Sequence, residues 1–215
     1  MKYVLITMGL MGLLLSCSPE PLTSEEIAKR CQAHHEVEGS WYNKEYSFTT
    51  EGENASRPNN PQQIELRIDN RSNTVEYHNL TRGVHVAYSP DSCIAHNDSS
   101  VCEDYTWTVG YYPYIWGMPA KFFDPGVKIE EAYEQTVVND KPVYAIQIAY
   151  EKETYDFYIN QETYYLEGFK FVKNEGGKGE IVYHTGSQNV NGFIMPTERI
   201  WYDLDMKLLG TDRLK

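Results

Sequence analysis

Alternation of apolar and polar residues dominates most of the chain. Ile64, Leu66 and Ile68 alternate with charged residues, and the same period of two recurs at Val75 and Tyr77. This pattern is typical of strands with one face in the core and the other in water. Short polar connections between the runs indicate hairpins. Further strands are predicted over 84–88, 128–137, 143–150, 154–159, 164–172, 179–185 and 192–203.

Helical periodicity is found near the start of this strand-rich region. Thr23 and Glu26 have the spacing of a capping box, in which the threonine side chain bonds forward and the glutamate reaches back. Apolar residues follow at helical spacing as far as Cys31. The sequence therefore predicts a helix over 24–35, with Cys31 on its buried face as an inert thiol.

The centre of the chain, residues 107–119, breaks both patterns. Its aromatic residues are interrupted by glycine and proline, which argues against a long helix. Pro113 fits the first turn of a short helix that stops at Gly117, because that position needs no backbone N–H. We therefore predict a single mainly β (α+β) domain over residues 23–215. It contains one antiparallel sheet of about ten strands, the N-terminal helix and the short central helix.

A largely apolar run occupies residues 3–15, after the single positive charge of Lys2. It is too short to span a bilayer, which needs ~20 apolar residues, and it has the length of a signal-peptide core. Residues 14–17, Leu-Leu-Ser-Cys, resemble the bacterial lipobox. The resemblance implies a signal peptide over 1–16, diacylglycerol on the Cys17 thiol and a lipidated tether over 17–22. An ordinary secretory signal with a chance cysteine is the alternative.

The formal net charge of −12 narrows the classes of partner. It argues against nucleic acid, whose binding needs a basic stripe, and against a domain lying on anionic lipid. We expect a monomer in the bacterial cell envelope that contacts a membrane through its N-terminal lipid. The outer membrane is favoured, because Ser18 stands where an aspartate would indicate inner-membrane retention in some bacteria.

Export would place the cysteines in an oxidising compartment. Cys93 and Cys102 flank a short polar loop, and we predict a disulfide between them. Closing so short a loop stabilises a fold by ~2–3 kcal/mol. With Cys17 lipidated, Cys31 is left as the unpaired thiol.

A set of short motifs runs in order over most of residues 27–212. The motifs are 114–126 (YIWGMPAKFFDPG), 168–171 (GFKF), 179–181 (GEI), 191–192 (NG), 194–196 (IMP), 199–202 (RIWY) and 209–212 (LGTD), preceded by His34, His35 and Trp41. Together they resemble an uncharacterised bacterial lipoprotein family, domain of unknown function 6503. That family has no established activity, so the resemblance implies membership rather than a function.

The architecture is also similar to that of the periplasmic lipoprotein carrier LolA and its relatives. The similarity implies an unclosed β-barrel made from one strongly curved sheet. Its apolar concave face would be covered by helices and would hold acyl chains. This is a similarity of fold, and a fold by itself does not determine function.

The aromatic content bears most directly on function, with 18 Tyr, 7 Phe and 4 Trp. A curved sheet whose apolar face is incompletely filled makes a ligand pocket, whereas aromatic rings that fill the core leave none. In the first case the central segment would be the lid or rim of the pocket. The candidate ligand-binding residues are Tyr111, Tyr114, Trp116, Met118, Lys121 and Phe122. Lys121 would meet an anionic head group or, alternatively, would be an ordinary surface lysine.

Catalytic signatures are absent from the sequence, which has no Gly-x-Ser-x-Gly, phosphate-cradling loop or Cys-x-x-Cys. His34 and His35 are adjacent on a predicted helix and do not face one another, so a structural role is favoured over a metal site. We predict no cofactor, no metal and no enzymatic activity, with a hydrolase as the less favoured case. The leading hypothesis is an anchored protein that binds a lipid or other hydrophobic ligand. The alternative is a surface or periplasmic module that binds glycans or proteins and has no cavity.

Overall fold

The computed structural model describes residues 22–39, 41–96 and 101–215. Cys17, the predicted signal peptide and residues 17–21 of the predicted tether lie outside these ranges. The helices are α1 (Ser24–His35) and α2 (Val101–Trp116). The strands are β1 (Glu45–Asn54), β2 (Gln62–Asp69), β3 (Thr74–Asn79), β4 (Val84–Ser89), β5 (Ser92–Ala95), β6 (Lys128–Val138), β7 (Lys141–Ala149), β8 (Glu153–Asn160), β9 (Leu166–Lys173), β10 (Gly179–Thr185), β11 (Gln188–Val190), β12 (Phe193–Met195), β13 (Glu198–Asp203) and β14 (Leu208–Leu214).

Twelve of these strands form one antiparallel sheet in the order β5-β4-β3-β2-β1-β14-β13-β10-β9-β8-β7-β6. The edge strands β5 and β6 do not pair with each other, so the curved sheet stays open along one side. The remaining two described strands, β11 and β12, form a separate hairpin. The predicted mainly β fold with one antiparallel, unclosed sheet is therefore confirmed.

The strand count differs from the prediction of about ten. The alternation did not identify β1, β5, β11 and β14. Strand β1 pairs with β14 in the middle of the sheet, from Thr50 opposite Leu214 to Asn54 opposite Gly210. The predicted strand over 192–203 is divided at Pro196, which has no backbone N–H to give to a ladder.

Helix α1 has the predicted bounds and the predicted cap. The Thr23 side chain accepts a hydrogen bond from the Glu26 backbone, and the Glu26 carboxylate accepts one from the Thr23 backbone N–H at 2.8 Å. Ile27, Ala28 and Cys31 are fully buried. Burial raises the pKa of the free Cys31 thiol well above its ordinary value, as expected for an inert core cysteine.

Helix α2 corrects the prediction for the centre of the chain. The prediction of a helix starting at Pro113 is wrong, because the helix begins at Val101 and carries Pro113 in its interior. Its end agrees with the prediction, since the Gly117 N–H donates to the Pro113 carbonyl at 3.1 Å. Proline removes one helical hydrogen bond, and buried packing of Val109 and Ile115 offsets that loss.

A disulfide joins Cys93 of β5 to Cys102 in the first turn of α2, as predicted. The two Cα atoms are 5.9 Å apart. The bond fixes the start of α2 to the edge strand of the sheet. From there the helix packs against β3, β4 and β5.

Candidate binding groove

A groove of about 1430 Å³ opens at one end of the sheet, beside α2. The β7–β8, β9–β10 and β13–β14 turns form its rim, because the antiparallel order brings these turns to the same end. Residues 124–127, which follow a 3₁₀ turn after α2, close another side. The apolar lining consists of aromatic and aliphatic residues: Tyr111, Tyr114, Val127, Tyr150, Tyr155, Phe171, Leu204 and Leu209.

Three tyrosines from different elements form the aromatic wall of the groove. Tyr114, Tyr150 and Tyr155, here named the tyrosine cluster, pack edge to face with ring centroids 5.3 to 6.2 Å apart. Phe171 extends the wall by stacking on Tyr155 at 5.4 Å. Edge-to-face and offset stacking are the favourable arrangements for aromatic rings. The wall is therefore stable and preformed: Tyr114 and Tyr150 are its partly exposed rings, and the buried Tyr155 and Phe171 support them.

Hydrogen bonds hold the hydroxyls of the tyrosine cluster in place. Tyr155 donates to the Glu153 carboxylate at 2.7 Å, and Tyr150 donates to the Lys121 carbonyl at 3.2 Å. The Tyr114 hydroxyl lies within hydrogen-bonding reach of both. Burial raises the pKa of all three tyrosines, so they remain protonated donors at neutral pH.

Helix α2 is held on the sheet by a buried arginine. Arg199 of β13 is 1% exposed, and its Nη2 donates to the Ile115 carbonyl at 3.1 Å. Its guanidinium carbon lies 3.5 Å from the centre of a Trp116 ring. Burial lowers the Arg199 pKa to about 10, so the side chain keeps its charge at neutral pH. The cation–π contact and the hydrogen bond together position the end of the helix beside the groove.

The predicted ligand-binding residues occupy three kinds of position. Tyr111 and Tyr114 line the groove. Trp116, Met118 and Phe122 are buried in the core. Lys121 is not part of the groove lining; its Nζ lies 3.6 Å from an Asp124 carboxylate oxygen and 4.6 Å from the centre of the Tyr42 ring.

Tyr150, Tyr155 and Phe171 are groove residues that the sequence analysis did not single out. Each lies in or beside a predicted strand. The alternation of apolar and polar residues predicts which face of a single strand is buried, but not which residues of other strands lie next to it. Their convergence depends on register, which places Tyr155 opposite Phe171 in neighbouring strands. Aromatic residues at the ends of predicted strands were the available signal.

The charged groups of the described residues do not form a recognisable metal centre. Within residues 22–39, 41–96 and 101–215, no three His, Cys, Asp or Glu side chains are arranged to hold a metal ion. Over the same ranges, no helix has both the length and the apolar character needed to cross a membrane.

The fold is LolA-like, as three solved structures show. A LolA superfamily protein from Nitrosomonas europaea matches with a TM-score of 0.57 and 10% identity, over 91% of this chain and 92% of that one. A putative outer membrane lipoprotein-sorting protein domain from Vibrio parahaemolyticus gives 0.55 and 10%, over 89% and 91%. A DUF1329 family protein from Desulfovibrio piger gives 0.51 and 8%, over 89% and 90%.

The family is established by sequence. The chain belongs to the family of unknown function DUF6503, whose profile matches residues 2–210. The predicted family membership is therefore confirmed. No curated protein matches the sequence.

Proposed function

We propose that this protein binds a lipid or another amphiphile in the groove beside α2. The observation that carries the proposal is the open groove of about 1430 Å³ with a preformed aromatic wall. Pockets for small molecules are usually about 300–1,000 Å³ and mostly apolar with a few polar groups. A groove above that range suits a long flexible chain better than a compact metabolite.

The groove also favours this proposal over the alternative of an interaction module without a cavity. That alternative requires aromatic residues to fill the concave face completely. Here Tyr111 and Tyr114 face a space that no described side chain fills. The LolA-like fold supports the same proposal, since one of the similar structures is a putative outer membrane lipoprotein-sorting protein domain.

We further propose that the protein works in the bacterial cell envelope, anchored to the outer membrane through Cys17, as a carrier or binding protein rather than an enzyme. The lipobox-like residues 14–17 support the anchor. Labelling cells with a palmitate analogue is expected to tag the protein, and Cys17→Ala is expected to remove the label. A labelled variant would contradict the anchor without affecting the proposed groove.

Occupancy of the groove can be tested with a blocking substitution. Gly110 lines the groove, and a Cβ at this position has no heavy atom within 4 Å. The variant Gly110→Trp therefore adds a bulky ring to the groove at a site with room for it. Val137→Trp, at a side chain 65% exposed on β6, adds the same ring outside the groove.

The assay is uptake of the uncharged dye phenylnaphthylamine by the delipidated protein. We expect saturable binding that Gly110→Trp weakens by about tenfold or more, equal to about 1.4 kcal/mol. Val137→Trp should bind as the unsubstituted protein does. Absence of saturable binding, or equal loss in both variants, would refute the proposed function.

A further inference from the structure

Six carboxylates and three lysines line the groove, and only carboxylates are partly buried among these charged groups. Lys152, Lys173 and Lys178 line the mouth, and all three residues are exposed to solvent. Glu153 and Glu180 line the same groove and are partly buried. Charges in water are screened, whereas partly buried ones act at lower dielectric. The field inside the groove is therefore set by carboxylates.

Glu180 is aligned with the aromatic wall by the register of the sheet. It lies opposite Phe171 in β9, and Phe171 lies opposite Tyr155 in β8. Directly opposite residues in a sheet point to the same face. The Glu180 side chain therefore continues the row of rings that ends with Phe171.

The Glu180 carboxylate has no partner of its own. Among the described residues, its side chain forms no hydrogen bond or ion pair. Asp203, its neighbour on β13, is committed to a turn, since its Oδ1 accepts hydrogen bonds from the backbone of Asp205 and Lys207. Glu153 already accepts the Tyr155 hydroxyl.

Burial raises the pKa of Glu180, the charge of Lys173 lowers it, and the charge of Glu153 raises it by a smaller amount. Burial outweighs the attraction to Lys173, so the partly buried carboxylate still lacks full compensating charge. A cation beside it would supply that charge.

Resting on the proposed function, we propose that the groove selects amphiphiles with a positively charged ammonium head. The head would sit beside the partly buried Glu180 carboxylate, beyond the end of the row that Tyr155 and Phe171 form, and the tail would follow the partly exposed rings of the groove beneath α2. An anionic head at the same place would face two carboxylates. The formal net charge of −12 acts in the same direction at longer range.

The test compares three probes that share a dodecyl tail. Dodecyltrimethylammonium, dodecyl maltoside and dodecyl sulfate are titrated into the delipidated protein by calorimetry, below their micelle concentrations and at low salt. We expect the ammonium probe to bind most tightly and the sulfate at least about tenfold more weakly than the ammonium. Added salt should reduce this difference.

A pair of matched variants tests the role of Glu180. Glu180→Gln removes its charge, and we expect the ammonium preference to shrink by about fivefold, the effect of losing one partly exposed ion pair. Glu134→Gln removes one charge at an exposed position on β6, away from the groove, and should leave the preference unchanged. Equal effects in the two variants would show that overall charge, not Glu180, makes the distinction, and would overturn the proposal.

The probe ranking in the unsubstituted protein decides the proposal even if Glu180→Gln does not fold. Equal binding of all three probes, or tightest binding of the sulfate, overturns the head-group selectivity and leaves the proposed function standing. No binding of any probe refutes both.

Discussion

His35 links helix α1 to strands β9 and β12 by hydrogen bonds that require a neutral imidazole ring. It is 1% exposed, and its Nδ1 donates to the Ile194 carbonyl at 2.6 Å. Its Nε2 accepts the Leu166 backbone N–H at 3.1 Å. Because Nε2 acts as an acceptor, a second proton on the ring would replace this hydrogen bond with two opposed N–H groups.

Burial is the main cause that lowers the His35 pKa from its usual value near 6.5 to about 3. The hydrogen bond to Ile194 acts against this shift, and His34 adds to it. His35 is therefore protonated below about pH 6.5 in the unfolded chain, but only below about pH 3 in the folded protein. The contribution of neutral His35 to the free energy of unfolding is fully present above about pH 6.5, and it decreases as the pH falls towards about 3.

The magnitude follows from the linkage relation. When a histidine titrates only in the unfolded state, the free energy of unfolding of the protein falls by about 2 kcal/mol between about pH 7 and pH 5. Any folded pKa below about 4 gives nearly the same value over this interval, so the prediction does not depend on the size of the shift.

The experiment measures the free energy of unfolding in urea at both pH values for the unsubstituted protein and His35→Gln. The glutamine amide does not titrate and can still bond to the backbone. We expect the variant to lose about 2 kcal/mol less than the unsubstituted protein between the two pH values. Taking this difference cancels the parallel contribution of buried His184, whose pKa burial also lowers.

His34→Gln is the control, because His34 is its neighbour on the same helix but is only partly buried. Burial lowers its pKa less strongly, so its removal should change the pH dependence by a smaller amount. An unchanged pH dependence in His35→Gln would refute the reasoning.

Three further predictions concern stability and reactivity. Replacing Cys93 and Cys102 by serine opens a loop of sequence separation 9 and should cost about 2.7 kcal/mol in urea unfolding; an unchanged midpoint would contradict it. Gly168→Ala should cost about 3 kcal/mol by the same assay, because a Cβ would collide with the Val182 carbonyl oxygen at a backbone φ of +153°; a folded variant of normal stability would disprove the close approach. Cys31 should resist alkylation in native protein and react in urea, as followed by mass spectrometry; rapid native labelling would show that the thiol is accessible.

Local patterns predicted those elements whose own residues carry the information. Strand β2 shows buried Ile64, Leu66 and Ile68 between exposed neighbours, so its alternation was visible in the sequence. The α1 cap depends on two residues three positions apart. Both signals lie within a single segment, which is why these elements were found with nearly correct bounds.

Long-range packing decided the elements that were missed or misjudged. Strand β14, with the sequence LLGTDRL, has no clear alternation and becomes a central strand because β1 and β13 flank it. In α2, the local preference of Pro113 for a first turn was overridden, because the disulfide and the buried face of the helix stabilise a longer segment. Proline is tolerated inside a helix when the free energy gained from burying the apolar face of the helix exceeds the cost of the proline.

Some features of the candidate groove were likewise predictable from local sequence, and others depend on long-range packing. The aromatic content, the charge, the cysteine pair and two groove residues, Tyr111 and Tyr114, could be predicted from the amino-acid sequence. That Tyr150, Tyr155 and Glu180 share one wall follows from the folded structure alone. They come from separate elements, and their proximity depends on strand register and sheet curvature. Register is set by the burial of whole strand faces against distant partners, which no local window of sequence contains.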